Sequence, residues 1–188
     1  ARESDESLAE RVYLAPSGYS TAGPSDAYVY WAKTFNAGIG SVVPVSPEPG
    51  KVDVYVLMTD GSMPGEELLQ ELQDYLTEER IRPMTDLVTV KKPEAVEFSI
   101  DLTYYINRSD QAKAVTIQEN VKKAVAEYTT WQTSEIGRDI NPDELVQRIK
   151  AAGAKRVELT APTFAVVGET QVAKCTASAA DNGGLEDD

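Results

Sequence analysis

The clearest hydrophobic pattern in the chain is an alternation in its second half. Apolar residues or tyrosine occupy every second position from Val96 to Ile106, and mainly polar residues fill the positions between them. A strand with this pattern buries one face and exposes the other to solvent. The pattern therefore predicts one strand of a small, largely antiparallel sheet with an open face.

The residues before this strand predict a domain from 24 to 92, in the order helix, strand, strand, helix, strand. The first helix carries an apolar stripe from Tyr28 to Phe35 that also contains Trp31 and Ala32. Four further segments follow. They are a strand from Ile39 to Val45, a strand from Val52 to Met58 after the Pro47–Gly50 turn, a helix from Pro64 to Leu76, and a strand from Leu87 to Val90.

The second domain is predicted to span residues 93–180, in the order strand, helix, helix, strand, strand. Its long helix is expected from Asp110 to Trp131, and a second helix begins at Asn141 and ends at Gly153. The closing strands are placed at Ala154–Thr160 and Thr170–Ser178. The fold class is α+β, with two small domains in which helices pack on one face of a mixed or antiparallel sheet.

The two ends of the chain lie outside these domains. Residues 1–23 are expected to form a short helix, Glu3–Tyr13, with Leu8 and Val12 on its apolar side, followed by a turn-rich connection. No secretion signal or membrane span is recognised in the chain. Residues 181–188 are acidic and are expected to be disordered.

Charge and composition exclude several classes of function. The 188 residues carry 31 acidic and 18 basic side chains, a net charge of −13, which disfavours nucleic-acid binding. Two interpretations of the charge stay open, solubility and an acidic face for a basic partner. The chain has no histidine, so Ser-His-Asp, Cys-His and histidine-metal sites cannot be built from it. The single cysteine, Cys175, is expected to be a small buried thiol in a reducing compartment.

No segment predicts a catalytic, cofactor-binding or metal site. The glycines of Ala37–Ser41 lack the dinucleotide spacing and precede a strand, so they indicate a helix end and a turn. Acidic pairs are attributed to a helix first turn or to the tail, and lysine pairs to solvated faces. The prediction is a protein that is not an enzyme and has no cofactor.

Four motifs in register resemble the baseplate J-like protein family. Glu3–Arg11 resembles its "E-S-D-E-x-L-x-x-R" segment, and Ala22–Ala32 is similar to the glycine turn and aromatic helix that follow. Val45–Val56 resembles the "S-P-x-P-G-x-V" hairpin, and Arg82–Val88 the "R-P-x-T-D-x-V" junction. The resemblance runs from residue 3 to about 162 and identifies the chain with the C-terminal part of such proteins. Because the family usually has a substantial region before its first motif, the resemblance implies that residues 1–23 are the remnant of a truncated upstream region.

The resemblance implies a structural wedge component of a contractile phage tail, or of a phage-like particle, that acts through protein–protein interfaces. The implied partners are other wedge and hub proteins and copies of the chain itself, without nucleic acid, membrane or small-molecule substrate. The implied location is the virion tail baseplate, assembled in the bacterial host cytoplasm. Trp31, Gly50 and Pro83 are interpreted as folding residues. Two alternatives stay open, a small-molecule-binding α+β regulatory module and an enzyme that uses carboxylates or lysines.

Overall fold

The computed structural model describes residues 4–16, 25–78, 81 and 86–187. Predictions that involve Glu3, the 17–24 connection, Pro83 and Asp188 lie outside these residues. The chain divides into two compact units, which are described separately. The first contains Ala1–Glu94 with Ser134–Ile136, and the second contains Ala95–Thr133 with Gly137–Asp188.

The first unit is a three-stranded mixed sheet with helices. Its elements are α1 (Asp5–Leu14), α2 (Ser25–Phe35), β1 (Ile39–Glu48), β2 (Lys51–Met58), α3 (Glu66–Leu76) and β3 (Leu87–Lys91). The strand order is β1-β2-β3, with β1 antiparallel and β3 parallel to β2. Gly50 has a φ of 78° in the β1–β2 hairpin, a conformation that residues with a Cβ adopt only with strain.

The core of the first unit joins the helices to alternate residues of the strands. Tyr28 and Ala32 of α2 and Leu72 of α3 pack with Val54 and Val56 of β2. The predicted apolar side of α1 is wrong. Leu8 and Val12 are exposed, and Leu14 is the residue that α1 buries. In a ten-residue helix with few apolar residues, the spacing of Leu8 and Val12 does not determine which side of the helix faces the core.

The second unit contains another three-stranded sheet. Its elements are β4 (Glu94–Asn107), a 3₁₀ helix (Arg108–Lys113), α4 (Ala114–Thr133), α5 (Pro142–Ala151), β5 (Arg156–Ala161) and β6 (Gln171–Glu186). The order is β5-β4-β6, and β5 is antiparallel to β4. β6 runs parallel to β4, since Thr176 contacts Phe98 near the start of β4 and Asp187 contacts Arg108 just after its end. Both units are α+β, as predicted from the sequence.

Alternation along β4 builds the core of the second unit. Ile100, Leu102, Tyr104 and Ile106 are buried and pack against α4 and α5, as the pattern predicts. The predicted limits of α5 are also confirmed. Asn141 caps the helix by accepting a hydrogen bond from the Asp143 amide at 3.0 Å, and Gly153 ends it with a φ of 110°.

The predicted disorder of residues 181–188 is wrong for 181–186, which form the second half of β6. The acidic composition that suggested disorder has cationic partners in the fold. Glu186 forms an ion pair with Arg156, and Asp187, just beyond the strand, forms one with Arg108 at 2.6 Å. Among the described residues, no helix combines the length and apolarity needed to cross a bilayer.

Candidate interaction surfaces

Gly40 and Asn107 both have structural roles in the fold. Gly40 lies so close to Thr59 that an added Cβ would be 2.8 Å from the Thr59 Cα, which explains a glycine at the start of β1. Asn107 caps the 3₁₀ helix through the Ser109 amide. Among the described residues, no three acidic or cysteine side chains come together as a metal site.

The lysine pair at the end of β3 was expected to lie on a solvated face, and both side chains are indeed partly exposed while each also makes an ion pair. Lys91 lies 2.6 Å from the Asp53 carboxylate of β2, and the hydrogen bond from Lys91 to Asp53 raises the pKa of the lysine. Lys92 donates to Glu66 in the first turn of α3. These contacts connect β3 with β2 and with α3 inside the first unit.

Cys175 is half-buried in β6. Its thiol lies 3.4 Å from the Ala177 carbonyl, and burial raises the pKa of the thiol. A raised pKa keeps the sulfur protonated and weakly nucleophilic. The side chain therefore acts as a packing residue beside the core of the second unit.

A buried glutamine, which the sequence analysis overlooked, organises the connection between α4 and α5. The Gln132 side chain is fully buried, and its amide donates to the carbonyls of Arg138 at 3.2 Å and Asp139 at 3.0 Å. Its carbonyl accepts from the Asn141 amide at 3.3 Å. The Tyr128 hydroxyl donates to the Asn141 carbonyl, and burial raises the pKa of Tyr128 to about 12. This cluster is satisfied internally and offers no group to a ligand.

The edge of the first sheet is closed by a side chain. Gln73 of α3 donates to the Val88 carbonyl at 2.8 Å and accepts from the Val90 amide at 2.7 Å. These two backbone groups lie on the outer edge of β3, where a further strand would pair. The amide of Gln73 takes the place of that strand and blocks addition at this edge.

Charged residues hold the end of β6 on the exposed face of the second sheet. Arg156 of β5 lies over the Tyr105 ring of β4, with its guanidinium carbon 4.0 Å from the ring centroid, and donates to Glu158 and Glu186. The Tyr105 hydroxyl donates to Glu158 at 3.0 Å. Hydrogen bonds from Arg156 lower the pKa of Glu186 and, together with one from Tyr105, that of Glu158. Three strands are thus cross-linked on one face.

A polar cavity of about 360 Å³ lies within the first unit. Its lining includes Lys33, Glu10, Ser41 and Glu135. The Lys33 ammonium is already paired with the Glu10 carboxylate at 2.5 Å, which joins α2 to α1. The Ser41 hydroxyl accepts from the Ile136 amide. Because these polar groups already bond one another, the cavity gives little support to a metabolite site.

An open groove lies between α4 and β6, and we call it the α4–β6 groove. It has a volume of about 580 Å³. The helix contributes Lys122, Val125, Ala126, Thr129 and Thr130, and the strand contributes Ser178 and Ala180. Most of these side chains are small, so helix and strand leave a mainly apolar channel between them.

Exposed apolar side chains occur in both units. The largest exposures are those of Tyr13 on α1, 82%, Val166 before β6, 73%, and Val115 on α4, 70%. Single exposed apolar residues are ordinary on protein surfaces and do not identify an interface by themselves.

Comparison with known proteins gives two matches to family models, arranged in chain order. Residues 20–92 match the Baseplate J-like central domain, and residues 98–177 match the Baseplate J-like protein C-terminal domain. Baseplate protein J of Escherichia phage P2 is 32% identical over 187 residues, which is 98% of this chain and 61% of that protein.

A solved structure shares the fold. A chain from the cryo-EM structure of the anti-feeding prophage baseplate superposes with a TM-score of 0.58 at 11% identity, over 96% of this chain and 42% of that chain. The present chain therefore spans less than two thirds of the length of each of these two proteins.

Proposed function

Because the chain belongs to the baseplate J-like family, we propose that it is a structural component of a contractile-tail baseplate, acting through protein–protein interfaces. The observation that carries the proposal is the ordered match of two domains of one family across residues 20–92 and 98–177. A chance resemblance to a single turn or cap would not extend over both units in the same order.

The proposal includes a location and a class of partner. The protein is a wedge component of a phage tail or phage-like particle, and it contacts other wedge proteins, hub proteins and copies of itself. It is assembled in the host cytoplasm, and it performs no catalytic step. The relatives named above are baseplate proteins, which supports this assignment.

The chemistry of the chain agrees with a function carried by surfaces. Without histidine, the Ser-His-Asp and Cys-His machinery and any histidine general base cannot be assembled from this chain. Among the described residues, the strongly perturbed side chains Tyr128 and Arg156 belong to internally bonded clusters. Perturbed groups of that kind stabilise a fold and do not by themselves indicate catalysis.

The test is deletion of the gene from the producing strain, with complementation by the tagged full-length protein. We expect deletion to abolish complete contractile particles in electron micrographs. The complemented strain should restore them, with the tagged protein in purified particles beside hub and wedge proteins in mass spectra. Complementation with Gln147→Ala, a substitution on the exposed side of α5, is the matched control and should restore particles equally.

Normal particles from the deletion strain would contradict the proposal. Recovery of the tagged protein alone with a bound small molecule would instead favour the regulatory-module alternative.

A further inference from the structure

The outer edge of β6 is uncovered over its central residues. β6 is the terminal strand in the order β5-β4-β6, and within the described residues no strand pairs with its other side. Thr176–Ala179 are exposed, and the segment Thr176–Ala180 contains no charge, proline or glycine. Proteins ordinarily protect sheet edges with such residues or with a covering side chain. In this same chain, Gln73 performs that role at β3.

The α4–β6 groove lies beside this edge. Ser178 and Ala180 are two residues apart on the strand and both line the groove, so one face of β6 opens into it. The helical lining from Lys122 to Thr130 covers about 12 Å of the helix axis. That length corresponds to about four residues of a strand, of which two direct their side chains to one face. The groove thus matches two small apolar side chains of a strand added beside β6.

Lys122 supplies a charge at this groove. It is the charged residue of the lining, and within the described part of the chain no carboxylate forms an ion pair with it. Its neighbour Lys123, by contrast, lies 3.6 Å from Glu127. On a chain of net charge −13, a groove with an uncompensated ammonium and no lining acid is complementary to a ligand that carries a carboxylate.

We propose that the α4–β6 groove accepts an extended segment of a partner protein, which adds to the sheet as a strand beside β6. The backbone of the segment bonds to the outer edge of Thr176–Ala180. Two small apolar side chains, at positions i and i+2, enter the groove against Val125 and Thr129, and an acidic side chain reaches Lys122. Backbone hydrogen bonds provide affinity in this mode of recognition, and the side-chain pockets provide selectivity. The proposal does not depend on the baseplate assignment.

The first test is a titration of the isotope-labelled protein with a synthetic peptide, followed by NMR. The probe is a nine-residue peptide in which valine alternates with threonine and the valine at one end is replaced by glutamate, so that the carboxylate lies on the same face of the strand as the remaining valines. We expect slower amide exchange at alternate residues of Thr176–Ala180, and shifts of the Val125 and Thr129 methyl signals. Protection at the edge of β5 instead, or no protection at β6, would overturn the proposal.

Two substitutions separate the groove from the charge. Ala126→Trp fills the groove from an exposed position of α4 and should abolish peptide binding, whereas Ala112→Trp on the exposed 3₁₀ helix should leave it unchanged. Lys122→Glu should weaken binding of the glutamate peptide about threefold and favour a lysine peptide by a similar factor. Equal binding by Ala126→Trp and the unsubstituted protein, or no change of preference in Lys122→Glu, would refute the assigned site.

Discussion

Gln132 shows how one buried amide can fix the path of the chain between two helices. Replacement by alanine would leave the partly buried carbonyls of Arg138 and Asp139 and the partly buried amide of Asn141 without their partner. We expect Gln132→Ala to lower the free energy of unfolding by about 2 to 3 kcal/mol, the range for unsatisfied buried polar groups. Urea denaturation followed by circular dichroism measures this change.

The matched control for this experiment is Gln147→Ala. Gln147 is exposed on α5, and its replacement should change the free energy of unfolding by less than about 0.5 kcal/mol. Equal effects of the two substitutions would mean that the Gln132 hydrogen bonds contribute little.

Gly153 provides a second test at the level of single residues. Its φ of 110° lies in the left-handed region, and a Cβ there would be 3.1 Å from Ile117 Cγ1. Gly153→Ala should therefore destabilise the second unit by about 1 to 2 kcal/mol. Gly65→Ala serves for comparison, because Gly65 has a φ of −69° and open space around it. Gly65 is the N-cap of α3, where alanine is less favourable than glycine, so the expected result is a larger drop of the thermal midpoint for Gly153→Ala than for Gly65→Ala.

At the level of elements, Gln73 replaces a missing strand at β3. Gln73→Ala removes the acceptor of the Val90 amide, which would then exchange with solvent. We expect exchange at Val90 to accelerate by at least about tenfold, a change that corresponds to about 1.4 kcal/mol of lost protection. Hydrogen exchange read by NMR measures it. Gln70→Ala on the exposed side of α3 is the control. If Gln70→Ala accelerates exchange of the Val90 amide to the same degree, the role assigned to Gln73 is contradicted.

The end of β6 should respond to acid. The folded pKa of Glu186 lies below its ordinary value of 4.5 because Arg156 donates to the carboxylate. The stabilisation is therefore present above pH 4.5 and is lost as the pH falls through the folded pKa. Glu186→Gln should be less stable than the unsubstituted chain at pH 7, and the difference should shrink below pH 4.5.

Urea midpoints at several pH values test the role of Glu186, with Glu169→Gln as a control at an exposed position before β6. If the difference in urea midpoint between Glu186→Gln and the unsubstituted chain stays constant with pH, the Arg156 contact is not the cause of that difference.

The sequence predicted those elements whose pattern is set by local geometry. Alternation from Val96 to Ile106 located β4, and the Asn141 cap with Gly153 located α5. The second half of β6 was not predictable, because its small and acidic residues become a strand only beside β4 and Arg156, which are distant in the chain. A local sequence pattern does not reveal a neighbouring strand or an ion-pair partner that is distant in the chain and comes close only on folding.

The candidate surfaces were predictable to a smaller degree. In the sequence, Lys122 and Gln73 are ordinary polar residues of helices. The groove that Lys122 lines and the sheet edge that Gln73 covers form only when the chain folds. The family resemblance was predictable because turns and caps such as the Gly50 hairpin impose sequence requirements that persist in order along the chain.

At the level of the whole molecule, net charge and the uncovered β6 edge oppose each other. At neutral pH, a charge of −13 keeps copies of the chain apart, although Thr176–Ala180 offers an edge for pairing. Near the isoelectric point of about 4.5, the net repulsion vanishes and edge pairing is no longer opposed. We therefore expect self-association of the isolated chain to increase steeply as the pH falls towards 4.5, measured by light scattering at constant ionic strength.

A pair of lysine substitutions distinguishes edge pairing from general loss of solubility. Ala179→Lys places a charge on the exposed β6 edge, and Thr116→Lys adds the same charge on an exposed turn of α4 outside the groove. Both variants raise the isoelectric point equally, so compared at their shared isoelectric pH they differ only in where the charge lies. If the chain associates through the β6 edge, Ala179→Lys should slow the growth of light scattering and Thr116→Lys should not. Equal growth in both variants would mean that the association uses a surface other than the β6 edge.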